Sequence, residues 1–183
     1  MLKSVKTKFG EYIIYFTLYS VLGWIYEVVL ETFIYGWGFS NRGVLFGPYC
    51  PIYGVGALLF LFTVDPLIRG KEIYKRLKYI PVVFILCMVI ATVVELAGSY
   101  ILEFFTGGWP WQTYENYAVN FQGRIALSTS IRFGIGGVIV LYIFQPVLEK
   151  IVGRMKKSAV NITAYVLLFI FAADIIFTIF IRK

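Results

Sequence analysis

The chain has 183 residues, of which 60% are hydrophobic, 19% aromatic and only 15% charged. Soluble domains average about 45–50% apolar and about 25% charged residues. This composition therefore excludes an ordinary soluble domain and indicates a polytopic membrane protein. The chain also has no histidine and only two cysteines. These counts exclude Ser-His or Cys-His catalysis, histidine proton relays and tetrahedral thiolate metal sites, so we expect no cofactor and no metal.

Five apolar segments predict an all-α bundle of transmembrane helices, forming a single transmembrane domain over residues 1–183. Each segment has about 18–25 residues, which is enough to cross a hydrocarbon core of about 30 Å. The second segment is the shortest, because it begins at Pro51 and ends near Asp65 and Pro66. The predicted spans are about 12–35, 51–68, 80–104, 125–147 and 160–181.

The net charge of +7 is unevenly distributed. Most of the 17 basic residues lie in three stretches, at residues 3–8, 69–78 and 150–157. With five spans these stretches share one side of the membrane, and the positive-inside rule assigns that side to the cytoplasm. The pattern predicts a multi-pass membrane protein with its N-terminus inside and its C-terminus outside. It indicates the lipid bilayer, and not nucleic acid, as the partner of the basic residues.

Four of the predicted spans carry an ionisable residue at nearly the same depth, on the outer side of the bilayer midplane. These residues are Glu27, Glu95, Arg132 and Asp174, and Glu31 lies one turn further out. Charges in lipid cost several kcal/mol and usually face a bundle interior or a wet cavity. The layer therefore predicts a polar cavity open to the outside. Two alternatives remain: Glu95 and Arg132 could form a pair that only fixes helix register, and Asp174 could face headgroups or a partner chain.

Two outer loops flank this layer of charges. The first, at residues 36–54, is rich in glycine, proline and aromatic residues, which predicts a re-entrant turn in which Asn41 and Arg42 cap the cavity. The alternative is a tight connection with an interfacial aromatic belt. The second loop, at residues 107–124, places its aromatic residues at headgroup level. There Arg124 could snorkel to lipid phosphates or face inward over Arg132.

Three functions are compatible with this set of charges. The first is a permease subunit for a small polar or zwitterionic solute. The second is a lipid-handling protein or intramembrane enzyme that binds a lipid phosphate through arginines. The third is a structural or assembly subunit, which could form a homo-oligomer. The candidate substrate-binding residues are Glu27, Glu31, Asn41, Arg42, Glu95, Arg124 and Arg132.

Several short motifs between about residues 20 and 137 form a recognisable set. They are Gly23-Trp24-Ile25-Tyr26-Glu27, Asn41-Arg42-Gly43, Gly47-Pro48, Pro51-Ile52-Tyr53-Gly54, Glu95, Asn120-Phe121-Gln122-Gly123-Arg124 and the stretch from Ser130 to Gly134. This set resembles the type IV ABC-transporter permease family of small bacterial membrane proteins. One departure is Trp111-Gln112-Thr113-Tyr114, where family members tend to have Trp-Asp-Tyr-Ser. The resemblance implies transport and a separate ATPase subunit, for which the cytoplasmic surfaces are residues 69–78 and 149–159.

Overall fold

The computed structural model describes residues 2–181, with side chains from residue 8 onward. About three quarters of this part of the chain is helical and the sheet is confined to one short hairpin, so the predicted all-α class is confirmed. Two π-helical turns, Leu30–Ile34 and Val140–Phe144, each continue a preceding α-helix. A short 3-10 turn, Gln112–Asn116, lies in the second outer loop. The α-helices of the described residues are α1 (Leu2–Val29), α2 (Pro51–Thr63), α3 (Asp65–Ile68), α4 (Ile73–Lys78), α5 (Ile80–Thr106), α6 (Leu127–Ile139), α7 (Gln145–Val152) and α8 (Lys157–Ile181).

Four helical segments in the described chain are long and apolar enough to cross a membrane. They are Lys8–Ile34, Ile80–Thr106, Leu127–Val152 and Lys157–Ile181. The predicted second span is instead divided between α2, with 13 residues, and the four-residue α3. At about 1.5 Å per residue, α2 covers only about 20 Å, which is too short to span the membrane. The sequence predicted five helical spans, whereas the described chain has four helices of spanning length.

The chain divides into two compact units, and the first contains the residues up to Val55 together with those from Leu148 onward. In this unit α1 packs against α8. The first outer loop joins both helices through an aromatic cluster, in which Tyr49 and Phe16 each contact Phe171, at ring-centroid distances of 4.3 Å and 5.4 Å. Leu45 is buried in the same cluster. The loop is therefore part of the packed core of this unit.

The first outer loop also returns deep along α1. The backbone N–H of Cys50 donates to the carbonyl of Ser20 at 2.9 Å. Ser20 lies about four helical turns before Ile34, which corresponds to about 21 Å along the helix axis. The chain thus returns without a helix from the end of α1 to its middle, and α2 begins there. The re-entrant turn into the membrane stays a prediction.

The second unit contains residues 56–147, and in it α5 packs against α6. Small residues of α6 make this contact: a Cβ at Gly137 would overlap Cys87, and Gly134 is similarly close to side chains of α5. Beside them Thr92 donates its hydroxyl to Ser130 at 2.8 Å. A two-stranded antiparallel hairpin, β1 (Asn120–Phe121) and β2 (Ile125–Ala126), leads into α6.

A proline explains the π-helical turn that follows α6. Pro146 has no N–H, so it cannot donate to a carbonyl of the preceding turn. The N–H of Gln145 bonds to the carbonyl of Val140, in the wider π spacing. The carbonyl of Leu141 instead accepts a hydrogen bond from the Nη2 of Arg76 at 3.3 Å. This contact attaches the segment around α4 to the α6–α7 helix.

Candidate functional site

The first part of the site is an ion pair between α1 and the outer loop. Glu31 lies on the π-helical turn that continues α1 and is only 4% exposed. Its carboxylate pairs with the guanidinium of Arg42 and accepts a weaker contact from the hydroxyl of Ser40 at 3.4 Å. Single π turns inside helices occur frequently at functional sites. Arg42 therefore engages a carboxylate instead of extending into solvent.

Asn41 connects the loop to α1. Its Oδ1 accepts a hydrogen bond from the indole Nε1 of Trp24 at 2.8 Å, and its Nδ2 donates to the carbonyl of Phe46 at 2.9 Å. Both ends of the amide are thus used inside the protein. Asn41 fixes the loop at the point where Arg42 leaves it, so its role here is to position its neighbour.

Glu27 adds a second carboxylate close to this ion pair. It accepts a hydrogen bond from the hydroxyl of Tyr53, at the start of α2. Glu27 lies four residues before Glu31, so the two carboxylates project from the same side of α1 and its π-helical continuation. We refer to Glu27, Glu31, Asn41 and Arg42 as the outer-loop cluster. It contains two carboxylates and one guanidinium, so it has one negative charge in excess when both carboxylates are ionised.

Asp174 of α8 holds the backbone of the re-entrant loop. Its carboxylate accepts hydrogen bonds from the N–H groups of Phe46 at 3.1 Å and Gly47 at 2.8 Å, and from the hydroxyl of Tyr49. Thr178 adds a fourth, at 3.2 Å. A carboxylate has about four acceptor positions, so Asp174 has little capacity left for a solute. Its hydrogen-bond partners lie within the chain, so neither headgroups nor a partner chain, the two alternatives that the sequence left open, is needed to satisfy it.

The second unit holds a different part of the predicted set. Glu95 on α5 is buried, and the hydroxyl of Tyr114, in the second outer loop, donates to it at 2.8 Å. The next residues on the same face of α5, Ser99 and Glu103, both contact Arg124. Its Nη1 donates to the Ser99 hydroxyl at 3.3 Å and its Nη2 to the Glu103 carboxylate at 2.6 Å.

Arg124 is enclosed by aromatic rings as well. Its guanidinium carbon lies 4.1 Å from the ring centroid of Tyr100 and 4.0 Å from that of Trp109. Trp111 donates its indole N–H to the Arg124 carbonyl at 2.8 Å. The residue is only 8% exposed. The expectation that Arg124 snorkels to lipid phosphates is therefore wrong, because ion pairing and stacking between two rings hold it inside the protein, where it anchors the second outer loop.

Arg132 lies on an exposed part of α6. A contact between Arg132 and Glu95 or Glu27 stays a prediction. The predicted layer of charged residues at one membrane depth, which would include Asp174, also stays a prediction. The structure brings together Glu27, Glu31, Asn41 and Arg42 in the first unit, and Glu95 and Arg124 along one side of α5 in the second.

The sequence interpretation missed Glu103 and three tyrosines. Glu103 had a usable signal, because Glu95, Ser99 and Glu103 follow the four-residue spacing of one helix face. The tyrosines had none, since each lies in or next to a loop and is far in sequence from the carboxylate it contacts. They are Tyr49, Tyr53 and Tyr114.

Comparison with known proteins adds one finding. A model of the family described as "Putative ABC-transporter type IV" matches residues 14–179. The match extends from α1 to α8 and includes both outer loops with their charged residues. No curated protein and no solved structure matches the chain.

Proposed function

Because this chain belongs to the type IV ABC-transporter family and is a transporter-like membrane protein, we propose that it is a permease subunit for a small polar or zwitterionic solute. In this proposal the solute reaches the outer-loop cluster from outside the cell. A separate ATPase subunit supplies the energy from the cytoplasmic side, and the bacterial cytoplasmic membrane is the location.

The observation that carries the proposal is the Glu31–Arg42 pair, with Glu27 one helical turn before Glu31. A zwitterion presents one positive and one negative group at a fixed distance. An ammonium group would find two carboxylates here, and a carboxylate or phosphate would find the planar guanidinium of Arg42, which can bind it through two parallel hydrogen bonds. The excess negative charge favours a solute whose cationic group enters first.

The contacts of the other charged residues support a division of roles. Asp174 and Arg124 are saturated by groups of the protein itself, which favours a structural role for these two. The lipid-handling alternative loses support, since one of the three arginines expected to hold a lipid phosphate is enclosed. The outer-loop cluster combines an excess of charge with an arginine side chain that is 30% exposed.

A ligand-stabilisation screen on the purified protein tests the proposal. Thermal unfolding is followed with a panel of zwitterions, organic cations and anions, and separately with phospholipids. A ligand present at about 100 times its Kd stabilises the native state by about 2.7 kcal/mol. We expect a zwitterion to raise the Tm in a concentration-dependent way. We expect Arg42→Lys to abolish this increase while the Tm without ligand changes little, because lysine keeps the charge but loses the planar fork.

Arg154→Lys is the matched control, since Arg154 is an exposed arginine after α7 and its replacement should leave the ligand response intact. Stabilisation by phospholipids alone would support the lipid-handling alternative. If no solute stabilises the protein and Arg42→Lys has no effect, the outer-loop cluster serves structure only.

A further inference from the structure

The short helix α4 is fixed to the protein by one residue. Arg76 donates from its Nη2 to the carbonyl of Leu141, and its guanidinium carbon lies 5.2 Å from the ring centroid of Tyr142. In return the Tyr142 hydroxyl donates to the Arg76 carbonyl at 2.7 Å. These contacts hold α4 in one orientation, with the Arg76 side turned towards the protein.

The rest of α4 is exposed and combines apolar with basic side chains. Ile73, Tyr74 and Leu77 are 68%, 53% and 52% exposed, and Ile73 and Leu77 lie one turn apart on the same side of the helix. Basic side chains surround them. The ammonium groups of Lys75 and Lys78 lie 5.5 Å and 5.8 Å from the ring centroid of Tyr74.

The position of α4 along the chain places this face at the edge of the membrane. Only Tyr79 separates the end of α4 from Ile80, where the spanning helix α5 begins. Lys71 also lies here, with its ammonium group 4.5 Å from the ring centroid of Tyr79. Exposed apolar residues with surrounding lysines at this level are typical of a segment that lies in the membrane interface.

The charges of the segment select the kind of lipid. Its two acidic residues are each paired within the segment: Asp65 with Arg69 at 2.5 Å, and Glu72 with Lys75 at 3.2 Å. Lys71 and Lys78 add positive charge that these pairs do not offset. A basic surface of this kind attracts anionic lipid headgroups, by about fivefold in affinity for each lysine close to the surface.

We propose that α4 and its flanking lysines form a binding surface for anionic phospholipid headgroups of the leaflet in which α5 begins. The apolar side chains of Ile73, Tyr74 and Leu77 enter the interface, and Lys71, Lys75 and Lys78 contact the phosphates. Arg76 faces the other way and keeps the surface oriented. This surface is separate from the outer-loop cluster, and its test needs no transport measurement.

The experiment measures how close α4 comes to each kind of lipid. Ile73→Cys is labelled with a fluorophore; the native thiols of Cys50 and Cys87 are buried, so the new thiol is the accessible one. The full chain is reconstituted in vesicles of phosphatidylcholine and phosphatidylglycerol, in which one lipid or the other carries a nitroxide quencher. We expect labelled phosphatidylglycerol to quench the fluorophore several-fold more than labelled phosphatidylcholine does at the same mole fraction.

Three variants define the cause of this preference. Replacing Lys71, Lys75 and Lys78 together by glutamine should remove it, and replacing the same three by arginine should keep it, which also shows that the segment still folds. Replacing Lys150, Arg154 and Lys156 by glutamine is the matched control and should leave it unchanged. Equal quenching by the two lipids overturns the proposal. Absence of quenching by either lipid also overturns it and makes a protein partner, such as an ATPase subunit, the occupant of this face.

Discussion

The hydroxyl of Tyr49 donates to the carboxylate of Asp174 across 125 residues of sequence. A phenol donates a hydrogen bond without bringing a positive charge. The carboxylate therefore has hydrogen-bond donors but keeps its negative charge. In the Glu31–Arg42 pair, by contrast, the guanidinium group also neutralises the charge. The same relationship recurs at two further carboxylates, in the pairs Tyr53–Glu27 and Tyr114–Glu95.

Asp174→Asn should destabilise the protein by about 1–2 kcal/mol. An asparagine keeps one acceptor oxygen but turns an NH2 group towards the donors, so at least one backbone N–H of Phe46 or Gly47 loses its partner, and the cost lies in the lower part of the range of about 1–3 kcal/mol for an unsatisfied donor because these groups are only partly buried. Thermal unfolding in detergent measures the change. Thr178→Val is the matched control, because it removes one donor and leaves the acceptor in place. Equal and small changes in both variants would contradict the proposed role of Asp174.

Arg124→Lys should loosen the second outer loop. The ammonium group of a lysine cannot replace the two guanidinium nitrogens that bind Ser99 and Glu103, and it stacks poorly between the rings of Tyr100 and Trp109. We expect a loss of about 1–3 kcal/mol, given the usual size of charge-assisted hydrogen bonds and cation–π contacts. Hydrogen exchange of residues 107–124 should become faster while α8 is unaffected. Unchanged exchange in this loop would show that Arg124 does not anchor it.

Arg132 offers a test of the predicted contact with Glu95. If the two side chains form a pair, Arg132→Ala alone should destabilise more than the double variant that also carries Glu95→Gln, because the single change strands a buried carboxylate. The coupling between the two changes should be about 0.5–3 kcal/mol. The measurement is the Tm of the four members of the cycle. Strictly additive changes would place Arg132 outside this network.

Topology provides a fourth prediction. We expect the short second helix and the loop before it to make a further crossing, so that five crossings place the N-terminus inside and the C-terminus outside, in agreement with the positive-inside rule. A phosphatase that is active only outside the cytoplasm, fused after residue 183, should be active. A fluorescent protein that folds only in the cytoplasm, fused at the same point, should be dark. The reverse pattern would require an even number of crossings.

The sequence predicted those features that depend on local periodicity. Glu27 and Glu31 follow helical spacing, and the glycine- and proline-rich loop that carries Arg42 folds back along α1. The length of the second helix was not predictable in the same way. Hydropathy shows only that residues 51–68 are apolar. It does not show where α2 starts, because that position depends on the hydrogen bond between the loop and the Ser20 carbonyl.

The contacts of Asp174 and Arg124 were missed for a different reason. Asp174 bonds to Phe46 and Gly47, which lie 128 and 127 residues earlier, and no spacing rule connects positions so far apart. Whether Arg124 binds lipid phosphates or a protein carboxylate depends on whether Trp109 and Tyr100 cover its guanidinium group. These rings cover it only in the folded loop, so the sequence alone does not reveal the choice.

The hydrogen bonds between Asp174 and the first outer loop also limit the order in which the protein can fold during synthesis. The backbone N–H groups of Phe46 and Gly47 emerge from the ribosome long before α8 does. Until α8 arrives they lack their carboxylate acceptor, and unsatisfied backbone groups are not tolerated in the hydrocarbon core. We therefore expect the loop to stay in contact with water while the later helices are made. The hydrogen bonds between this loop and Asp174 then form as one of the last events, when the final helix enters the membrane.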